Sequence, residues 1–201
     1  MTATIIDGKK KCWGLTRFAK DPQRMVNYWQ TKFDWRAQEK KLNELPQFMT
    51  TIDGLDIHFV HVKSSNPNAM PLMLVHGWPG SIVEFTKIIG PLTEPQKYGG
   101  NASDAFHVVA LSLPGYGFSG KPQERAWSNK KIASVIAQLM PRLGYTRFVS
   151  QGGDCGSVVS HRMAMQKVKG LVGIHVNMPA TVPPEIARLI QGDTSLCPKK
   201  P

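Results

Sequence analysis

The run Gln151-Gly152-Gly153-Asp154-Cys155-Gly156 puts a carboxylate where a tight turn would expose a nucleophile. Gly152 and Gly156 stand two residues either side of Asp154. An apolar run, Tyr145 to Val149, precedes it, and a helix-like run, Ser157 to Val168, follows. A turn this sharp from strand to helix strains its central residue, and its neighbours at plus and minus two must be nearly free of side chain to avoid collision. Serine at the centre would mean acyl transfer. Aspartate instead attacks a saturated carbon to give an ester that water later cleaves. A Gly-rich turn carrying a capping aspartate has the same local pattern, so the run alone leaves both readings open.

A second run, Pro71 to Pro79, reads as a short apolar strand ending in His76-Gly77-Trp78-Pro79, with a helical stretch over Ser81 to Ile89 behind it. In a doubly wound sheet, ligands gather at the carboxyl ends of strands. A loop there aims backbone N–H groups inward, so the amides of Trp78 and Cys155 are the candidate oxyanion donors. His76 is either a general base or, more in keeping with a histidine opening such a loop, an orienting residue. A third loop, Ser112 to Gly120, closes the strand Val108 to Leu111 with Pro114, Gly115 and Gly117.

The elements needed to position these loops follow from periodicity. Helices are expected at Arg24 to Thr31, with Met25, Tyr28 and Trp29 as a core stripe, and at Trp35 to Leu45. Strands at Phe48 to Ile52 and Asp56 to Val62 flank a hairpin turn at Asp53-Gly54. Parallel strands at Leu72 to Val75 and Val108 to Leu111 come next, then a surface loop over Pro91 to Ala105. Helix Asn129 to Leu143 contains Pro141, which should break or kink its last turn. A final strand is expected at Leu171 to Met178.

In order, strand–His-Gly-Trp-Pro–helix, strand–Leu-Pro-Gly-Tyr-Gly-Phe-Ser, helix, strand–Gly-Gly-Asp-Cys-Gly–helix resembles the α/β-hydrolase fold. Within it, the chain is similar to the epoxide hydrolases of the microsomal, juvenile-hormone and fungal branch. The segment Asn27 to Lys63 resembles the amino-terminal region of that branch, and the likeness covers about residues 25 to 180. It implies an α/β fold with a mostly parallel sheet and helices on both faces, truncated before the cap and the last strands. The expected divisions are an amino-terminal region at 1–50, a partial hydrolase core at 51–178 and the start of a cap at 179–201. The resemblance further implies that Asp154 opens an epoxide to a vicinal diol through an alkyl ester. The Trp78 and Cys155 amides would hold the oxyanion, with no metal or organic cofactor.

Several features depart from that pattern. The family places an acid and a water-activating histidine beyond the nucleophile. Of the histidines after Asp154, His161 lies roughly 10 Å along the next helix, which suits packing or a surface contact. His175, in the next apolar strand, reads as a satisfied core histidine. The four tyrosines all precede Asp154, whereas the family's epoxide-binding tyrosines belong to the cap. The tail Pro179 to Pro201 reads as a cap that has only begun, and Met1 to Lys20 does not align with the family. The expectation is therefore an amino-terminal half, incomplete as an enzyme. Cys155 stands where the family usually has tryptophan. Its amide is kept, and the alternative of a reactive thiol lacks a partner histidine.

Composition narrows the remaining classes. The net charge of +11 is scattered among Lys9 to Lys11, Lys40-Lys41, Lys130-Lys131 and Lys199-Lys200, with no nucleic-acid signature beside it. Three widely spaced cysteines (Cys12, Cys155, Cys197) suit a reducing compartment. No signal peptide and no run near the ~18 apolar residues of a membrane span is visible, so a cytoplasmic protein is expected. Two rivals stand beside the epoxide hydrolase. A haloalkane-type dehalogenase would share the aspartate nucleophile. A non-catalytic fragment or partner-dependent half-domain would show an exposed apolar sheet edge that permits self-association.

Overall fold

The computed structural model describes residues 15–125 and 127–179, with Pro184 and Arg188 besides. Lys9 to Lys11, Cys12, Cys197 and most of the cap-like tail lie outside those residues. The chain divides into two compact units, one through Glu44 and one from Leu45 onward.

The first unit holds two helices, α1 (Leu15–Thr31) and α2 (Trp35–Asn43). The Asp34 carboxylate caps α2 by accepting the Ala37 N–H at 3.0 Å, satisfying one of the orphan donors of a helix start. Met25, Tyr28 and Trp29 are exposed, contrary to the core stripe expected of them. α2 likewise buries no residue, so among the described residues of this unit nothing covers the stripe.

The second unit is built on a six-stranded sheet in the order β1-β2-β4-β3-β5-β6. The strands are β1 (Gln47–Ile52), β2 (Leu55–Val62), β3 (Met70–Val75), β4 (Phe106–Leu111), β5 (Phe148–Gly152) and β6 (Leu171–Val176). β1 falls across the expected division at residue 50 and pairs along its whole length with β2. Asp53 and Gly54 make the hairpin turn, with φ of 49° and 76°, the left-handed pair that a two-residue turn requires. β1–β2 and β2–β4 are antiparallel, and β4–β3, β3–β5 and β5–β6 are parallel.

Side-chain alternation along the parallel strands sends two sets of apolar residues to opposite faces. Leu72 and Leu74 pack with Ile82, Phe85 and Ile89 on one face. Met73 and Val75 pack with Ile136, Val159 and Met163 on the other. The first face carries α3 (Thr86–Thr93); the second carries α4 (Asn129–Ile136), α5 (Leu139–Arg142) and α6 (Cys155–Met165). Helices therefore cover both faces of a mostly parallel sheet, as expected.

Several boundaries differ from the sequence reading. The helix expected over Ser81 to Ile89 is a 3₁₀ turn, Ile82–Phe85, continued by α3 to Thr93. α3 thus enters the loop expected over Pro91 to Ala105, which also holds the 3₁₀ turns Pro95–Tyr98 and Ala102–Asp104. The helix expected over Asn129 to Leu143 is broken between α4 and α5, a full turn before Pro141. The proline ring crowds the carbonyl four residues back and donates nothing to it, and that carbonyl belongs to Ala137, where α4 ends. β5 lies three residues later than the apolar run that announced it, and it takes in Ser150, whose hydroxyl is satisfied internally. Ser150 Oγ shares a 2.9 Å hydrogen bond with Ser160 Oγ of α6.

Candidate active site

The register of the sheet brings the three motif loops together. Val75, at the end of β3, pairs with Leu111 of β4 on one side and Gly152 of β5 on the other. The chain therefore leaves all three strands at the same level. From β3 it turns to the α3 face and from β5 to the α6 face. Neighbouring strands whose connections part in this way leave a crevice beyond their carboxyl ends. His76 to Trp78 and Asp154 stand at that crevice.

Asp154 occupies the turn between β5 and α6 with φ 50° and ψ −124°, a strained conformation for a residue with a side chain. The packing explains the flanking glycines. A Cβ on Gly152 would overlap the Gly156 carbonyl, and one on Gly156 would overlap the carbonyls of Val75 and His76. The Ser157 hydroxyl ties the turn by donating to Gly152 O at 2.7 Å. Asp154 also stands at the N-cap position of α6 without a side-chain capping bond, where the helix dipole favours negative charge.

The exposed Asp154 carboxylate accepts the Trp78 N–H on Oδ1 at 2.9 Å. This bond, with the Cys155 N–H and thiol, holds its carboxyl below the usual carboxylate range. The Trp78 amide expected as an oxyanion donor thus lies on the carboxylate itself, and the Cys155 N–H adds to the pull on its proton affinity. A Cβ on Gly77 would overlap the Asp154 side chain, so this glycine is what allows the carboxylate to reach the Trp78 amide. The bond from Asp154 in turn pushes the half-buried Cys155 thiol up.

His76 is fully buried and has no nitrogen left to act as a base. Its Nε2 accepts the Leu113 N–H at 3.0 Å, which leaves the ring proton on Nδ1, donated to Gly77 O at 2.9 Å. In a trans peptide the C=O and N–H point opposite ways. Holding Gly77 O therefore turns the N–H of Trp78, the other end of the same unit, toward Asp154. The Gly80 N–H supports the same carbonyl at 2.9 Å. The orienting reading of His76 fits this geometry.

The other histidines stand apart from Asp154. His161 is exposed on α6, matching the surface role. His175 is exposed on β6, not a satisfied core histidine as its apolar context had suggested. The cause is that β6 pairs only with β5 among the described residues, so the strand is an edge. Val172 and Ile174 are exposed beside it, the apolar sheet edge named above as a mark of a half-domain. No cluster of metal ligands occurs among the described residues, and none of their helices is long and apolar enough to cross a membrane.

Burial lowers the proton affinity of His58, His61 and His76. A histidine depressed in the folded state contributes stability that is complete above its unfolded value, about 6.5, and is lost as pH falls through the folded value. The urea midpoint is accordingly expected to hold near neutrality and to drop progressively below about pH 6. An unchanged midpoint down to about pH 5 would contradict these three burials.

The chain is similar to known families and proteins. The family described as "Epoxide hydrolase N terminus" matches residues 7–85, and that described as "alpha/beta hydrolase fold" matches residues 70–193. A putative epoxide hydrolase of Stigmatella aurantiaca is 50% identical over 164 residues, 82% of this chain and 37% of the relative. Epoxide hydrolase 1 of Sus scrofa is 42% identical over 160 residues, 78% of this chain and 35% of the relative. Among solved structures, the Aspergillus niger epoxide hydrolase superposes with a TM-score of 0.75 at 36% identity, over 90% of this chain and 48% of that one. The juvenile hormone epoxide hydrolase of Bombyx mori gives 0.72 at 36% identity, over 80% and 42%. The chain spans little more than a third of the length of these curated relatives.

Proposed function

We infer the function from one fact: this chain belongs to the α/β-hydrolase fold family. Its relatives in both sequence and structure include epoxide hydrolases, and the reaction proposed for it is theirs, the addition of water to an epoxide. The observation that carries the proposal is the 2.9 Å bond from the Trp78 N–H to Asp154 Oδ1. It divides the labour between the two carboxylate oxygens. Oδ1 is held, and Oδ2 is the nucleophile.

Oδ2 forms a bond to one epoxide carbon as the ring C–O bond breaks, and the opened oxygen takes up a proton. The product is a hydroxyalkyl ester of Asp154. Water then adds at Cγ, and negative charge collects on Oδ1, where the Trp78 amide is already in place and the Cys155 amide is the expected second donor. Donors in place before charge develops need no reorganisation, and losing one such donor costs about 100- to 1000-fold in rate. The Cγ–Oδ2 bond breaks, and a vicinal diol leaves carrying Oδ2. The described residues supply the nucleophile and its oxyanion amides. The base that activates the water is assigned to none of them.

The first half-reaction is testable on the 201-residue chain. Incubation with styrene oxide should add the whole mass of one epoxide to the peptide holding Asp154. If no adduct forms there while the chain stays folded, the reading fails. Where turnover is measurable, a single turnover in ¹⁸O-water should place the label in Asp154 and leave the diol unlabelled. A labelled diol would mean direct attack of water on the epoxide.

A further inference from the structure

His58, in the middle of β2, is buried, and both its ring nitrogens are engaged. Nδ1 lies 2.9 Å from Ser112 Oγ and Nε2 lies 2.9 Å from Gln47 Oε1. A carboxamide oxygen only accepts, so the ring proton sits on Nε2 and the Ser112 hydroxyl donates to Nδ1. The backbone of the same residue reaches the same loop. Its N–H donates to Ser119 Oγ at 2.9 Å, and its carbonyl accepts the Ser112 N–H at 2.9 Å. The Ser119 hydroxyl closes the ring by donating to Ser112 O at 2.7 Å. His58 therefore ties both ends of the loop from Ser112 to Ser119 to the sheet, and Phe118 covers its ring edge-on at 5.1 Å.

The residue after Ser112 is Leu113, whose N–H fixes His76. We propose that His58 is a positioning residue for the oxyanion amide: by seating Ser112 it aims the Leu113 N–H at His76, which holds the Gly77–Trp78 peptide so that the Trp78 N–H faces Asp154. The two histidines use opposite tautomers, and both are satisfied without water. This inference rests on the reading of Trp78 as an oxyanion donor. It adds to that reading a residue on a different strand that touches neither Asp154 nor Trp78 directly.

The Trp78 amide proton reports the arrangement without any substrate. In the native chain its NMR resonance should lie downfield and move as Asp154 is protonated, at a midpoint below that of an ordinary aspartate. His58→Leu keeps apolar bulk but offers no nitrogen to Ser112, and the downfield position and its pH response should be lost. His58→Asn places a polar atom near Nδ1 and should retain them. His58→Gln reaches toward Nε2 instead and should lose them. A native Trp78 response in His58→Leu overturns the proposal, as does equal loss in the Asn and Gln variants. A flat response in the unmodified chain does the same. Should His58→Leu fail to fold, Ser112→Ala removes the same bond from a small side chain, and a native response there is equally fatal. Absent epoxide chemistry with an intact Trp78 response would refute the proposed hydrolysis and leave the role of His58 standing.

Discussion

Asp154→Asn is expected to slow ester labelling of the chain by styrene oxide about 10⁶-fold, the scale on which an enzyme loses activity when its nucleophile is removed. The comparison must separate two nucleophiles, because Cys155 is the next residue and epoxides alkylate thiols as well. The native environment favours the carboxylate. Two amides and the neighbouring thiol keep Asp154 ionised, whereas the bond to Asp154 and burial push the Cys155 thiol up and keep it protonated. Only the thiolate is a competent sulfur nucleophile. The native adduct should therefore be an ester, released by mild alkali or hydroxylamine.

In Asp154→Asn the anion that holds the Cys155 proton is gone. Residual labelling should then move to sulfur as an alkali-stable thioether and disappear in the double variant with Cys155→Ser. An alkali-stable adduct on the unmodified chain would reverse the assignment and make Cys155 the reactive group.

Why the elbow could be read from sequence, and the parts that brace it could not, follows from the range of the forces involved. A strained residue between two glycines is a local constraint, and the close approaches of Gly152 and Gly156 to backbone carbonyls are what that spacing demands. The parallel strands and the Asp53-Gly54 hairpin were equally legible, since alternation and turn chemistry act over a few residues. β5 was misplaced because Ser150 and Gln151 look like loop, and only the partner hydroxyl of Ser160, on another element, makes Ser150 a strand-core residue. His58 gave no signal at all. It sits in a strand buried on both faces, and its loop partners Ser112 and Ser119 lie 54 and 61 residues away along the chain. His175 misled for the opposite reason: apolar neighbours suggested a core position, and an edge strand exposes them.

The second large effect concerns Gly156, where a single methyl group should cost more than most deletions. A Cβ at this position falls on the carbonyls of Val75 and His76 and near the Val75 carbonyl carbon. These are backbone atoms at the end of β3, so no side chain can swing aside to admit it. Relief requires moving α6 off the sheet or moving the end of β3, and overpacking of this kind costs about 3 kcal/mol or more. Moving β3 also displaces His76 and the peptide that carries the Trp78 N–H, so Gly156→Ala should lose stability and the Asp154 bond together. Gly173→Ala is the matched control. Its Cβ would meet Val149 Cγ1 at 3.6 Å, an ordinary contact, and should change stability by less than about 0.5 kcal/mol. Urea unfolding of the two variants side by side decides the matter. Equal midpoints would mean that α6 does not sit against β3 as closely as its glycine implies, and the approach of the Trp78 amide to Asp154 would lose its structural cause.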